Sequence, residues 1–218
     1  MAKKIIQTPP DFIGNYMKYV LEHGDRPSSI FVFAQSIGVK ESDFYDKFSS
    51  FESLEKSIFK AFFDNTKVLL DNNQEFLAFN AQNKLLSFYF TFFEVLKANR
   101  SYVIYALEKE KNKLKVLSRL SSLKNAFQDF IEEIGIETMD FKEAKIEKVK
   151  NRAVAEWNWG QLLFTLKFWL EDSSKGFEKT DILIEKSINT SFALLDTSTL
   201  KSVVDLGKFL FKEKLVTY

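Results

Sequence analysis

The chain has 218 residues, no cysteine and a single histidine, and Lys+Arg 31 against Asp+Glu 30 give a net charge of +1. This composition excludes disulfides, thiolate metal sites, thiol nucleophiles and multi-histidine centres, and it leaves no global field to draw the chain onto nucleic acid or an anionic membrane. Phe 24, beside three Pro and seven Gly, favours long helices around an aromatic interior.

The opening MAKKIIQTPPD has only a two-residue apolar run, so no secretory signal is expected. The longest apolar stretches, such as LLSFYFTFF, fall short of a membrane span, and a cytoplasmic chain without stable membrane insertion is expected. A first helix is predicted from about Asp11, with Phe12, Ile13, Tyr16, Met17, Val20 and Leu21 on one face and a stop at Gly24. A second follows Pro27, with Ser28 or Ser29 as N-cap and Ile30, Phe33, Ala34 and Ile37 turned inward. Gly38 makes a tight turn plugged by Val39, and a short third helix sets Phe44 and Phe48 one turn apart. Ser49-Ser50 closes this unit, and a longer helix starts near Phe51.

Further helices are predicted over about 82–97, 101–109, 113–134, 143–172, 180–196 and 199–213. No two-residue alternation marks a sheet, so the chain is all-α. The expected domains are 1–55, a three-helix head, and 56–218, a helical bundle for ligand binding and dimerisation.

The helix KLLSFYFTFFEVL (84–96) is apolar nearly all round, which makes it a central core helix. Its Phe88, Tyr89, Phe92 and Phe93, with Tyr105, Phe127, Phe130 and Trp157, are alternatively the lining of an apolar pocket suited to a hydrocarbon or isoprenoid tail. In AEWNWGQLLFTLKFWL, Gly160 lacks a side chain and permits a close helix crossing. Trp159, Gly160, Leu162, Phe164 and Trp169 are the candidate homodimer interface, with an intrachain contact as the alternative. The lysine-rich stretches KEKNKLK (109–115) and FKEAKIEKVKNR (141–152) are expected to be solvated faces. His23 suits a helix C-terminus. No cofactor, metal or catalytic constellation is expected.

The run EHGDRPSSIFVFAQSIGVKESDFYDKFSSFESL (22–54) resembles, without a gap, the N-terminal helix-turn-helix of the TetR family of bacterial transcriptional regulators. Gly24, Ile30, Phe33, Ala34, Gly38, Val39, Phe44, Tyr45, Phe48, Glu52 and Leu54 carry the resemblance. It implies a TetR-like fold, a homodimer, a small apolar ligand held by the C-terminal domain, and double-stranded DNA read by the third helix. By position, the implied DNA contacts are Ser28, Ser29, Lys40, Ser42, Tyr45 and Lys47.

Two departures stand out. The family's basic residue opening the fourth helix is here Phe51, and the reading helix KESDFYDK sets Lys40 and Lys47 against Glu41, Asp43 and Asp46, a local charge of −1. Residues 1–60 carry eight basic and eight acidic side chains, whereas phosphate neutralisation supplies most non-specific DNA affinity. The function implied is a ligand-responsive regulator with an acidic, weak reading helix. The alternative is a lipid- or isoprenoid-binding or scaffold protein of the same fold without DNA binding. That alternative draws on a second resemblance: Leu170, Asp172, Ser174, Phe177 and Thr180 are similar to the same region of the TetR-fold lipid-binding accessory proteins of ubiquinone biosynthesis. By that resemblance, the amphipathic stretch STLKSVVDLGKFLFKEKL would be a membrane-contact helix, with docking on its own bundle as the ordinary alternative.

Overall fold

A computed structural model of the protein describes residues 9–136 and 144–195. Among the described residues there are eleven α-helices and one 3-10 turn, and no strand. In chain order they are α1 (Pro9–His23), α2 (Ile30–Ser36), α3 (Glu41–Tyr45), α4 (Phe51–Asp71), α5 (Gln74–Ala78), α6 (Ala81–Ala98), α7 (Arg100–Glu108), α8 (Lys113–Arg119), α9 (Ser121–Ile134), α10 (Ala144–Glu171), the 3-10 turn (Lys175–Phe177) and α11 (Glu178–Leu195). The all-α expectation holds.

Two compact units divide the chain, with the divisions falling inside α4, α6 and α9. The first takes the described residues up to Leu69 and Thr91–Phe127; the second takes Leu70–Phe90 and the described residues from Gln128 onward.

In the first unit the expected punctuation of the head is realised. Gly24 ends α1 at φ 72°, and Gly38 turns the chain at φ 73°, conformations that cost other residues steric strain. Ser29 caps α2 by accepting the Val32 amide at 3.2 Å. The core is aromatic: Phe44 lies 5.8 Å from Phe12, 6.1 Å from Phe33 and 5.7 Å from Phe51, ring centroid to ring centroid, in edge-on arrangements. Each such pair contributes about 0.5–1.5 kcal/mol beyond area burial. α7 packs on α1.

An acid sits in that core. Phe51, Leu54, Glu55, Ile58, Phe59 and Phe62 recur at helical spacing along α4 and all are buried. A carboxylate at such a position needs donors, and Glu55 has three: the Tyr16 hydroxyl at 2.5 Å, Arg26 Nη2 at 2.9 Å and Arg119 Nε at 2.9 Å. Arg119 also donates to the Ala106 carbonyl, and Arg26 Nη1 donates to Glu52 at 2.5 Å.

In the second unit α10 and α11 pack together. Gln161 on α10 donates to the Ser187 hydroxyl at 3.1 Å and accepts from that of Ser191 at 3.3 Å. The joint between the two helices is tied by Asp172. Its carboxylate accepts from the Ser174 amide and hydroxyl at 2.8 and 2.7 Å and from the Thr180 amide and hydroxyl at 3.0 and 2.7 Å. Burial alone would raise the Asp172 pKa, yet the hydrogen bonds from Ser174 and Thr180 outweigh it and hold it at about 2.

Two elements differ from expectation. The short α5, capped by Asn73 accepting the Glu75 amide at 3.0 Å, lies in a stretch with no predicted helix. The single helix expected over 113–134 is two, because Leu120 leaves the helical path at ψ 0° and Ser121-Ser122 restarts it. The predicted 199–213 helix lies outside the described residues. No helix among the described residues is long and apolar enough to cross a membrane.

Candidate functional site

The helix expected to read DNA, α3, is short and anchored by one buried ring. Phe44 points into the core, while Ser42, Tyr45, Asp46 and Lys47 are exposed and Glu41 and Asp43 are half-buried. The Asp43 carboxylate accepts the Lys40 backbone amide at 3.1 Å, so this acid closes the first turn of α3. Ser28, Ser29 and Lys40 are also exposed, which brings all six residues implied as DNA contacts to the surface of the head. Ser29 has the additional work of capping α2.

At the start of α4, Phe51 is only 7% exposed. Its ring centroid lies 5.5 Å from that of Tyr16 and 5.9 Å from that of Phe33, and the Arg26 guanidinium stands 5.8 Å from it. The position that would carry a phosphate contact has therefore become part of the core. Arg26 is committed elsewhere: burial disfavours its charge, but Glu52 and Glu55 hold it firmly protonated. In and beside α3, Lys40 and Lys47 stand against Glu41 and Asp46, a balance that supplies little attraction for a polyanion.

The candidate pocket residues fall in both units. In the first, Phe92, Phe93 and Phe127 are buried and Tyr105 is half-buried. In the second, Phe88, Tyr89 and Phe130 are buried, with the Phe88 and Phe130 rings 4.8 Å apart. Trp157 stands apart from this set, since it is 60% exposed.

The candidate dimer residues on α10 divide by helical face. Trp159, Leu162 and Trp169 turn into the protomer and are buried. Gly160 and Phe164 turn outward, Phe164 at 58% exposure, and share that side with Trp157 three and seven residues away. Among the described residues, a side chain added at Gly160 would meet nothing within 4 Å, so no helix crossing among them requires this glycine.

His23 Nδ1 donates to the Tyr19 carbonyl at 2.9 Å, and its ring stacks on that of Tyr19 with the centroids 4.0 Å apart. This is the helix-end role expected of it. Leu170, Asp172, Ser174, Phe177 and Thr180 belong to the α10–α11 joint, where Phe177 at φ 68° lays its ring 5.7 Å from Trp169. Asp172, Ser174, Phe177 and Thr180 each make a contact that holds this joint. Among the described residues no cluster of three or more acids and His is placed to hold a metal.

Sequence reasoning missed the Glu55 network. The available signal was an acid within the α4 apolar stripe, where only a buried set of donors makes a carboxylate tolerable.

Residues 84–210 match the family described as tetracyclin repressor-like, C-terminal domain. In fold, the protein is similar to the fatty acid degradation regulator FadR from Bacillus halodurans, with a TM-score of 0.54 and 17% sequence identity over 83% of this chain and 97% of that one. No curated protein matches the chain.

Proposed function

Because the chain belongs to the tetracyclin repressor-like family through its C-terminal domain, we propose that it is a ligand-responsive transcriptional regulator that acts as a homodimer and holds duplex DNA weakly. The observation that carries this reading is an exposed α3 set on an aromatic three-helix head, in the same chain as a region of the effector-domain family. The division at residue 55, between a reading head and an effector and dimer domain, is kept as a functional one. A ligand that favours one spacing of the two heads would shift the population that fits two half-sites on DNA.

The effector is an apolar molecule with a hydrocarbon tail, drawn from the supply of aromatic side chains at Phe88, Tyr89, Phe92, Phe93, Tyr105, Phe127 and Phe130. The FadR likeness makes a fatty acyl chain the first to test. For the dimer, the outward side of α10 with Trp157, Gly160 and Phe164 replaces the buried Trp159, Leu162 and Trp169 as the face offered to a second copy.

One observation favours a second reading, a lipid-binding protein of this fold without DNA binding: the acids on α3 coincide with the loss of the basic residue at Phe51. Two measurements on purified protein separate the readings. Mass spectrometry of its organic extract identifies a bound lipid under either one. Selection of genomic fragments enriches a palindromic site only for a regulator, and failure to enrich any site leaves the lipid-binding reading.

A further inference from the structure

The Glu55 network forms the floor of a cleft of about 340 Å³ within the first unit. Its walls come from the segment after α1, the first turns of α4, the end of α7, and α8. The volume lies within the range of small-molecule sites, but the lining is charged where a hydrocarbon effector calls for an apolar one.

Every acid on the wall already has a cation or amide. Glu55 is held as described, Glu52 takes Arg26, Asp25 lies 3.5 Å from Lys109, and Glu110 accepts the Asn112 amide at 2.9 Å. These contacts lower the pKa of Glu52 through Arg26, that of Asp25 through the Arg26 amide and Lys109, and that of Glu110 through the Asn112 amide, so all three stay ionised.

The spare groups are of the other kind. Among the described residues, Lys56, the Tyr105 hydroxyl and the Ser118 hydroxyl line the cleft without a hydrogen-bond or ion-pair partner, and Lys115 reaches only Glu110, at 3.9 Å. The cleft carries five cations, Arg26, Lys56, Lys109, Lys115 and Arg119, against four acids, and this surplus of positive charge, with Lys56 uncommitted and two free hydroxyls beside it, makes a cleft that accepts negative charge.

We propose that this cleft binds a small organic anion bearing a phosphate or carboxylate group, through Lys56, Lys115, Tyr105 and Ser118, as a polar site that has only Tyr105 in common with the proposed apolar effector set. Lys56 belongs to α4 and Lys115 to α8, so a bound anion ties α4 to the α7–α8 segment. The proposal does not depend on DNA binding, since its readout is anion binding itself.

The test is calorimetric titration of the full chain with inorganic pyrophosphate and, separately, with citrate, at matched ionic strength in chloride. Saturable binding of one anion per chain is expected below about 1 mM. Pyrophosphate alone binding identifies a phosphate ligand, citrate alone a carboxylate ligand, and both together a site that reads charge. Lys56→Gln combined with Lys115→Gln should weaken binding by about tenfold or more, as for loss of two charge-assisted contacts, with little change in melting temperature. Lys56→Gln alone should weaken it measurably. Lys111→Gln, outside the cleft, should leave it unchanged. No saturation by either anion up to about 10 mM, or equal weakening by Lys111→Gln, would overturn the proposal.

Discussion

The Tyr16 hydroxyl on α1 donates to the Glu55 carboxylate on α4 at 2.5 Å, across 39 residues of sequence. Burial, reinforced by the neighbouring Glu55 charge, pushes the Tyr16 phenol well above its ordinary pKa, so it remains a donor throughout the physiological range. Glu55→Ala should therefore leave Arg26 and Arg119 without their shared counter-charge. The expected cost is about 3–5 kcal/mol, the range for removing one partner of a buried ion pair. Tyr16→Phe loses a single bond and should cost about 1–2 kcal/mol. Urea denaturation followed by circular dichroism measures both, and a Glu55→Ala protein as stable as wild type would show that the network carries no stability.

Phe51→Lys should destabilise the head by about 3–5 kcal/mol, because it removes a packed ring and drives an ammonium into an aromatic core. Restoring the family's basic residue at this position would thus lose the fold before any phosphate could be reached. The check is the melting temperature of the variant; an unchanged value would mean that Phe51 can leave the core without cost.

Acid stability should depend on Asp172. Its folded pKa, about 2, lies below the ordinary value of 3.8, so its contribution is fully present above about pH 4 and is lost as pH falls towards 2. Asp172→Ala should cost about 2–3 kcal/mol at neutral pH, as for a buried, hydrogen-bonded carboxylate. Asp172→Asn should flatten stability between pH 4 and 2, measured by denaturation at stepped pH. A variant that keeps the wild-type slope there would assign the acid transition to other carboxylates.

Phe164→Glu, with Trp157→Glu as an independent second variant, should convert a dimer into a folded monomer in light scattering. Trp159 and Leu162 are buried in the protomer, so acids there should unfold it instead. Dimers that persist in both outward-face variants would move the interface away from this side of α10.

The helices of the head were legible because its signals are local: a glycine forced to positive φ at Gly24 and Gly38, a serine cap at Ser29, and apolar spacing on α1 and α4. The polar network was not, because Glu55 draws its partners from positions 39, 29 and 64 residues away and no local pattern records them. The faces of α10 were hidden for another reason. Ala155, Trp159, Leu162, Leu166 and Trp169 form one apolar stripe, and Trp157 and Phe164 with Gly160 form another. A helix apolar on two sides gives no phase from which the inward one can be chosen.

The central claim is that this head binds DNA weakly because of the charges on α3, and it is tested by fluorescence anisotropy with random duplex DNA at two salt concentrations. The comparison is wild type against Glu41→Lys with Asp46→Lys, which leaves Asp43 to cap the helix and Phe51 to fill the core. Wild type should bind more weakly than the roughly 10⁻⁴ to 10⁻⁶ M of ordinary non-specific binding at physiological salt. The variant should bind more tightly, with the slope of log affinity against log salt steeper by roughly 0.9 for each additional phosphate it neutralises. Wild type binding as tightly as the variant, with the same salt slope, would contradict the account.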